Sequence, residues 1–135
     1  MKNINPYLNF DGNTREAMQF YARVLGAELQ IQSFGDVGMA DKPELEDRTM
    51  HAFLKAGDVV IMASDTMPGM SFVAGNNVWI NINCESDEEI ERLFTALGER
   101  GTVIMPLADQ FWGAKFGMLK DRYGMHWMFN FEKSR

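Results

Sequence analysis

Two imidazoles, one thiol and a repeated asparagine are the side chains here with most to offer chemically. The imidazoles are His51 and His126, and the thiol is Cys84. His51 lies in "HAFLKA" with Phe53 on its own side of a strand. Its reference pKa near neutrality would suit a general base, and a satisfied structural ring is the alternative for the same residue. A single cysteine excludes an intramolecular disulfide and a cysteine-based zinc centre. Two histidines in all limit metal chemistry further. No Ser/His/Asp order marks a nucleophile. Cys84 shares the parity of Ile80 and Ile82, which predicts a buried and inert thiol.

The asparagines occur in "YLNF" at 7–10 and "WINI" at 79–82. A shift of 72 residues lays Tyr7 on Trp79, Asn9 on Asn81, Tyr21 on Leu93 and Leu25-Gly26 on Leu97-Gly98 without a gap. The chain therefore reads as one supersecondary unit written twice. Strands are predicted over 4–10 and 77–83, with Asn5, Tyr7 and Asn9, and Asn77, Trp79 and Asn81, on one side. Each leads into an amphipathic helix. Asn13 with Glu16 caps the first and Ser86 with Glu89 the second, and Gly26 ends the first. Strands over 27–34, 48–55 and 58–64 follow the first helix, and strands over 102–105, 112–120 and 125–131 follow the second. Glycines at 57 and 124 suit the hairpin turns.

The order strand–helix–strand–strand–strand, twice over, predicts an α+β fold. Two βαβββ modules, 1–66 and 76–135, form paired curved mixed sheets around a cavity. They make a single domain over 1–135, joined by a loop at about 66–76. The acidic segment 33–48 reads as either a lid over that cavity or a solvated loop. A net charge of −6 and the lack of any Lys/Arg cluster argue against a nucleic-acid partner. Residues 1–10 hold no apolar run fit for a signal peptide, and no stretch approaches the ~18 apolar residues of a membrane span. A cytoplasmic protein that meets small molecules or a second copy of itself is the expectation.

Within this frame, "PYLNFDGNTREAMQFYARVLGAEL" at 6–29, "HAFLKAGDVVIMASD" at 51–65 and "FWGAKFGMLKDRYGMHWMFN" at 111–130 resemble the PhnB-like family. That family falls in the vicinal oxygen chelate superfamily of glyoxalases and bleomycin-resistance proteins. The resemblance covers most of the chain and implies the paired-module fold and a homodimer. It also implies four metal-ligand places, on the first and last strand of each module, which fall here on Asn5, Ile61, Asn77 and Met128. Amides, a thioether and a hydrocarbon make a poor site for a divalent cation, so no metal and no other cofactor is expected.

The residues then point to a small organic ligand held among aromatics and amides: Asn5, Tyr7, Asn9, Asn77, Trp79, Asn81, Trp112, Lys115 and Met128. The bland alternative has the asparagines tying down backbone and Trp112 packing on Phe116. Whether the ligand is turned over, with His51 as base, is left open. Two rivals stand beside binding alone: a metal-dependent lyase, isomerase or dioxygenase of the glyoxalase type, and a drug-sequestering protein of the bleomycin-resistance type. The methyltransferase label that some PhnB-like proteins carry is discounted, because no Gly-rich turn follows a parallel strand to hold a nucleoside cofactor.

Overall fold

The computed structural model describes residues 1–133. It divides into two compact units, Met1–Val73 and the chain from Ala74 onward. Each unit is one α-helix on one face of a four-stranded mixed sheet, and the fold is α+β.

In the first unit β1 (Tyr7–Phe10) runs into α1 (Thr14–Leu25), then β2 (Glu28–Ser33), β3 (Thr49–Ala56) and β4 (Val59–Asp65). The sheet order is β1-β4-β3-β2, with β1 parallel to β4 and the other pairs antiparallel. Period-2 alternation sends Phe10, Ala52, Leu54, Ile61 and Ala63 under α1, where they meet Ala17, Met18, Phe20, Tyr21 and Val24. β1 is shorter than the 4–10 expected, although the Pro6 carbonyl still accepts from the Met62 N–H.

Helix α1 is not started by its own N-cap side chain. Asn13 makes no capping hydrogen bond. The buried carboxylate of Asp65 takes its place. Oδ1 accepts from Gly12 N at 2.9 Å, Thr14 N at 3.1 Å and Thr14 Oγ1 at 2.7 Å, and Oδ2 accepts from Thr49 N at 2.8 Å. One side chain thus ties the β1–α1 turn to the start of β3. At that start the β2–β3 register slips, pairing Gln32 with His51 and Ser33 with Thr49, so Met50 is the extra residue of a bulge. Gly26, at φ 64°, closes the helix as expected.

The segment between β2 and β3 is tied down at several points. Phe34 and Leu45 are buried, Ser33 and Asp36 exchange hydrogen bonds, and Phe34 N and Gly35 N donate to the carbonyls of Arg48 and Glu46. Its acidic side chains face water, while two apolar anchors fix its path.

The second unit repeats the order with β5 (Ile80–Asn83), α2 (Asp87–Gly98), β6 (Thr102–Asp109), β7 (Ala114–Lys120) and β8 (His126–Glu132). The sheet order is β5-β8-β7-β6. Here the cap is the expected one: Ser86 Oγ accepts from Glu89 N at 3.1 Å, while Glu89 Oε1 accepts from Glu85 N at 2.8 Å. Ile90, Leu93 and Leu97 of α2 are buried, as are Leu119, Trp127 and Phe129 on the sheet. Phe94 stacks edge-on to Phe129 with ring centroids 5.2 Å apart. Gly117 lets them close up, because a Cβ there would lie 2.8 Å from both Phe94 and Leu107. Strand β6 runs four residues beyond the 102–105 expected. It is an edge strand with two register shifts, which is where Pro106 is tolerated.

Cys84 continues the parity of Ile80 and Ile82 and is buried. Burial pushes its thiol pKa up to about 11, with Glu89 adding to the effect. At pH 8 a thiol with that pKa is ionised about once in a thousand molecules, against roughly one in four for a free cysteine. Iodoacetamide should therefore modify the native protein at least about 100-fold more slowly than the urea-unfolded chain. Equal rates would refute the buried placement.

Candidate functional site

In the first unit the sheet face turned away from α1 carries a cross-strand patch. Tyr7 pairs with Met62 in register, Met62 with Phe53, and Phe53 with Gln30. One pleat along, Asn9 pairs with Ser64, whose hydroxyl donates to Asn9 Oδ1 at 3.3 Å. His51 lies on the same side. Its Nδ1 shares a hydrogen bond of 3.2 Å with the Tyr7 hydroxyl, and the two rings sit 5.8 Å apart. Tyr7 is 46% exposed, so the pair is open to a ligand. The Asp65 carboxylate, by gripping Thr49 N beside the bulge, fixes the pleat on which His51 stands.

In the second unit the helix-free face carries Asn81 beside Met128, Asn83 beside Asn130, Met118 beside Met128 and Phe116 beside Asn130. Asn81 Nδ2 donates to Asn83 Oδ1 at 3.0 Å. Trp79 stands just before β5, edge-on to His126 at 4.7 Å. Past the end of β6, Phe111, Trp112 and Phe116 form an aromatic ladder with successive centroids 5.1 and 6.2 Å apart. Phe111 is 96% and Trp112 52% exposed at its tip.

Three expected residues fall elsewhere. Lys115 lies on the α2 side of β7, where its Nζ meets Glu91 at 2.6 Å and Asp87 at 3.3 Å. Those carboxylates, Glu91 first, raise its pKa. Its neighbour Phe116 faces the helix-free side, so strand alternation puts Lys115 on the other. Asn77 sits exposed in the segment before β5. Asn5 precedes β1 and donates to Asn3 Oδ1 at 2.8 Å. Residues the sequence reading passed over, Met62, Ser64, Asn83 and Asn130, share the helix-free faces. The register of β1 on β4 and of β5 on β8 reveals them, and no local motif does.

The superfamily's metal places can be checked one unit at a time. In the first unit Ile61 points under α1 opposite Leu54 and is 3% exposed, so it faces away from Tyr7 and Asn9. Its neighbour Met62 takes the open side. In the second unit the corresponding place is the thioether of Met128, beside the amide of Asn81. A hydrocarbon, thioethers and neutral amides are poor partners for a hard or borderline divalent ion, so these places do not fit the superfamily's metal. Among the described residues, no three His, Cys, Asp or Glu side chains converge as a ligand set.

Comparison with known proteins agrees with this architecture. The family model described as 3-demethylubiquinone-9 3-methyltransferase matches residues 2–129. Protein PA1353 from Pseudomonas aeruginosa is 42% identical, with 99% of this chain and all of that one covered and a TM-score of 0.90. A PhnB protein from Bacillus cereus is 28% identical over 96% of this chain and 99% of its own, with a TM-score of 0.78. A glyoxalase/bleomycin resistance protein/dioxygenase family enzyme from Burkholderia phytofirmans shares the fold at 16% identity, covering 93% of this chain and 96% of that one, with a TM-score of 0.65. The chain belongs to the family described as 3-demethylubiquinone-9 3-methyltransferase, is similar to a PhnB protein of known structure, and shares its fold with glyoxalase/bleomycin resistance proteins.

Proposed function

We propose that this protein binds a small organic ligand on the helix-free faces of its sheets, without a divalent metal in the superfamily's usual ligand places. The supporting observation is the patch of Tyr7, Asn9, His51, Phe53 and Met62, which joins aromatic area, a flexible thioether and uncharged hydrogen-bonding groups on one rigid sheet. Such a surface stacks against a ligand and bonds it without demanding charge.

The methyltransferase activity in the family's description is not part of this reading. In the β1–α1 turn, Asp11-Gly12-Asn13, the N–H groups of Gly12 and Thr14 are already committed to Asp65. In the β5–α2 turn, Glu85 N is taken by Glu89, and Asp87, Glu88 and Glu89 crowd the first helical turn. Neither turn offers the free, glycine-rich backbone that cradles a nucleoside cofactor.

One contact favours catalysis over binding alone. With Nδ1 engaged by Tyr7, His51 keeps Nε2 for a ligand, and the pair presents one proton donor and one acceptor whichever tautomer it holds. Ligand binding is tested by screening neutral and weakly polar metabolites for a rise in melting temperature. A hit should lose at least about tenfold in affinity in Tyr7→Ala, since an aromatic contact plus a hydrogen bond is worth roughly 1.5–3 kcal/mol. Turnover lost in His51→Ala with binding kept would establish the base. Hits that bind Tyr7→Ala and the parent alike would refute this face as the site.

A further inference from the structure

The mouth of the β7–β8 hairpin holds an arrangement that the ligand reading does not use. Lys120 and His126 are directly opposite each other in register. Two basic side chains in that position repel when both are charged, a cost a sheet ordinarily avoids. They wall a recess of about 390 Å³ together with Ala74, Gly75, Asn76 and Gly124. Among the described residues, no carboxylate lines it.

The surrounding charges make the recess stand out. In a chain of net charge −6, Lys120 forms no ion pair among the described residues, as is also true of Lys2, Lys42 and Lys55, but it alone of these stands opposite a histidine at the wall of a recess. The nearest acid along the chain, Asp121, is turned to other work. Its Oδ1 accepts from Tyr123 N at 2.8 Å and Met125 N at 3.0 Å, and its Oδ2 from Trp127 Nε1 at 2.8 Å. His126 is 9% exposed and held edge-on by Trp79, which fixes its ring without using either nitrogen. Lys120, His126 and Asn76 thus place three donor-bearing side chains among the residues that line one hollow.

We propose that this recess is an anion site that takes the oxyanion head, carboxylate or phosphate, of a small acid. Lys120 supplies the charge, and His126 and Asn76 supply directed hydrogen bonds. The site lies within the second unit and stands or falls independently of a neutral ligand on the other sheet.

With only two histidines, proton NMR of the ring C–H signals reads it directly, with His51→Gln making the assignment. Inorganic phosphate and acetate are titrated separately at pH 7 and constant ionic strength set with chloride. At least one should shift the His126 signal saturably while leaving His51 unmoved, and which one does so names the head group. Lys120→Gln, a change at an exposed strand end, should weaken that binding about tenfold or more, as loss of one charge-assisted hydrogen bond implies. The proposal is overturned if neither anion gives a saturable shift by about 50 mM, if His51 moves in parallel, or if Lys120→Gln binds like the parent.

Discussion

Replacing Asp65 with alanine should cost about 4–5 kcal/mol of stability, a large share of the roughly 5–15 kcal/mol that holds a typical domain folded. The carboxylate is 4% exposed and accepts four hydrogen bonds. Thr14 and Thr49 are themselves buried, so removing the acceptor strands their donors away from water. The loss is concentrated where β1 turns into α1 and where β3 leaves its bulge. Asp65→Asn separates charge from shape. An amide oxygen can still serve Gly12 and Thr14, but its NH₂ then faces the Thr49 N–H, and about 2–3 kcal/mol should be lost. Urea titration must be followed by far-UV circular dichroism here, because all three tryptophans, at 79, 112 and 127, lie in the second unit. If Asp65→Ala unfolds within 1 kcal/mol of the parent, the carboxylate is not the clasp described. A folded Asp65→Asn should also show a displaced His51 signal, because the same bond sets the pleat of β3.

Periodicity made much of this legible and counting lost the rest. Alternation in "YLNF" correctly separates Tyr7 and Asn9 from Leu8 and Phe10, and alternation in "ININ" separates Asn81 from Ile80 and Ile82. The apolar stripes of α1 and α2 were equally plain. What failed were positions reached by counting from a turn. The first hairpin turns through Gly57 and Asp58, while the second spans residues 121–125. The ligand place that the resemblance implies in the first module lands on Ile61 when it is counted back from the longer second turn, whereas the open face there belongs to Met62. β6 ran long because edge position and bulges accommodate a proline that would end an interior strand. The Asp65 clasp spans about 50 residues of sequence, and the Tyr7–His51 contact 44. Neither leaves a local signature, so no pattern within a single strand or helix could have disclosed them.

Trp127→Ala should be the costliest substitution in the second unit, at about 4–5 kcal/mol. The side chain is fully buried on the α2 side of β8, between Ile80 and Leu119 in register. Truncation removes the largest buried volume of that core and opens a cavity that sheet and helix can close only in part. It also removes the N–H that occupies Asp121 Oδ2, leaving a 3%-exposed carboxylate with an oxygen short of its donor. Trp127→Phe keeps most of the packing and loses the hydrogen bond, so about 2 kcal/mol is expected. The difference between the two variants measures the volume, and the phenylalanine value measures the tie to Asp121. That tie also holds the hairpin turn, since Tyr123 and Met125 donate to the other oxygen of the same carboxylate. Trp127→Phe should therefore speed amide exchange at Tyr123 and Met125 while leaving the Asp65-bonded amides of Gly12 and Thr49 protected. Unchanged exchange in the turn would mean that Asp121 holds it without help from the indole.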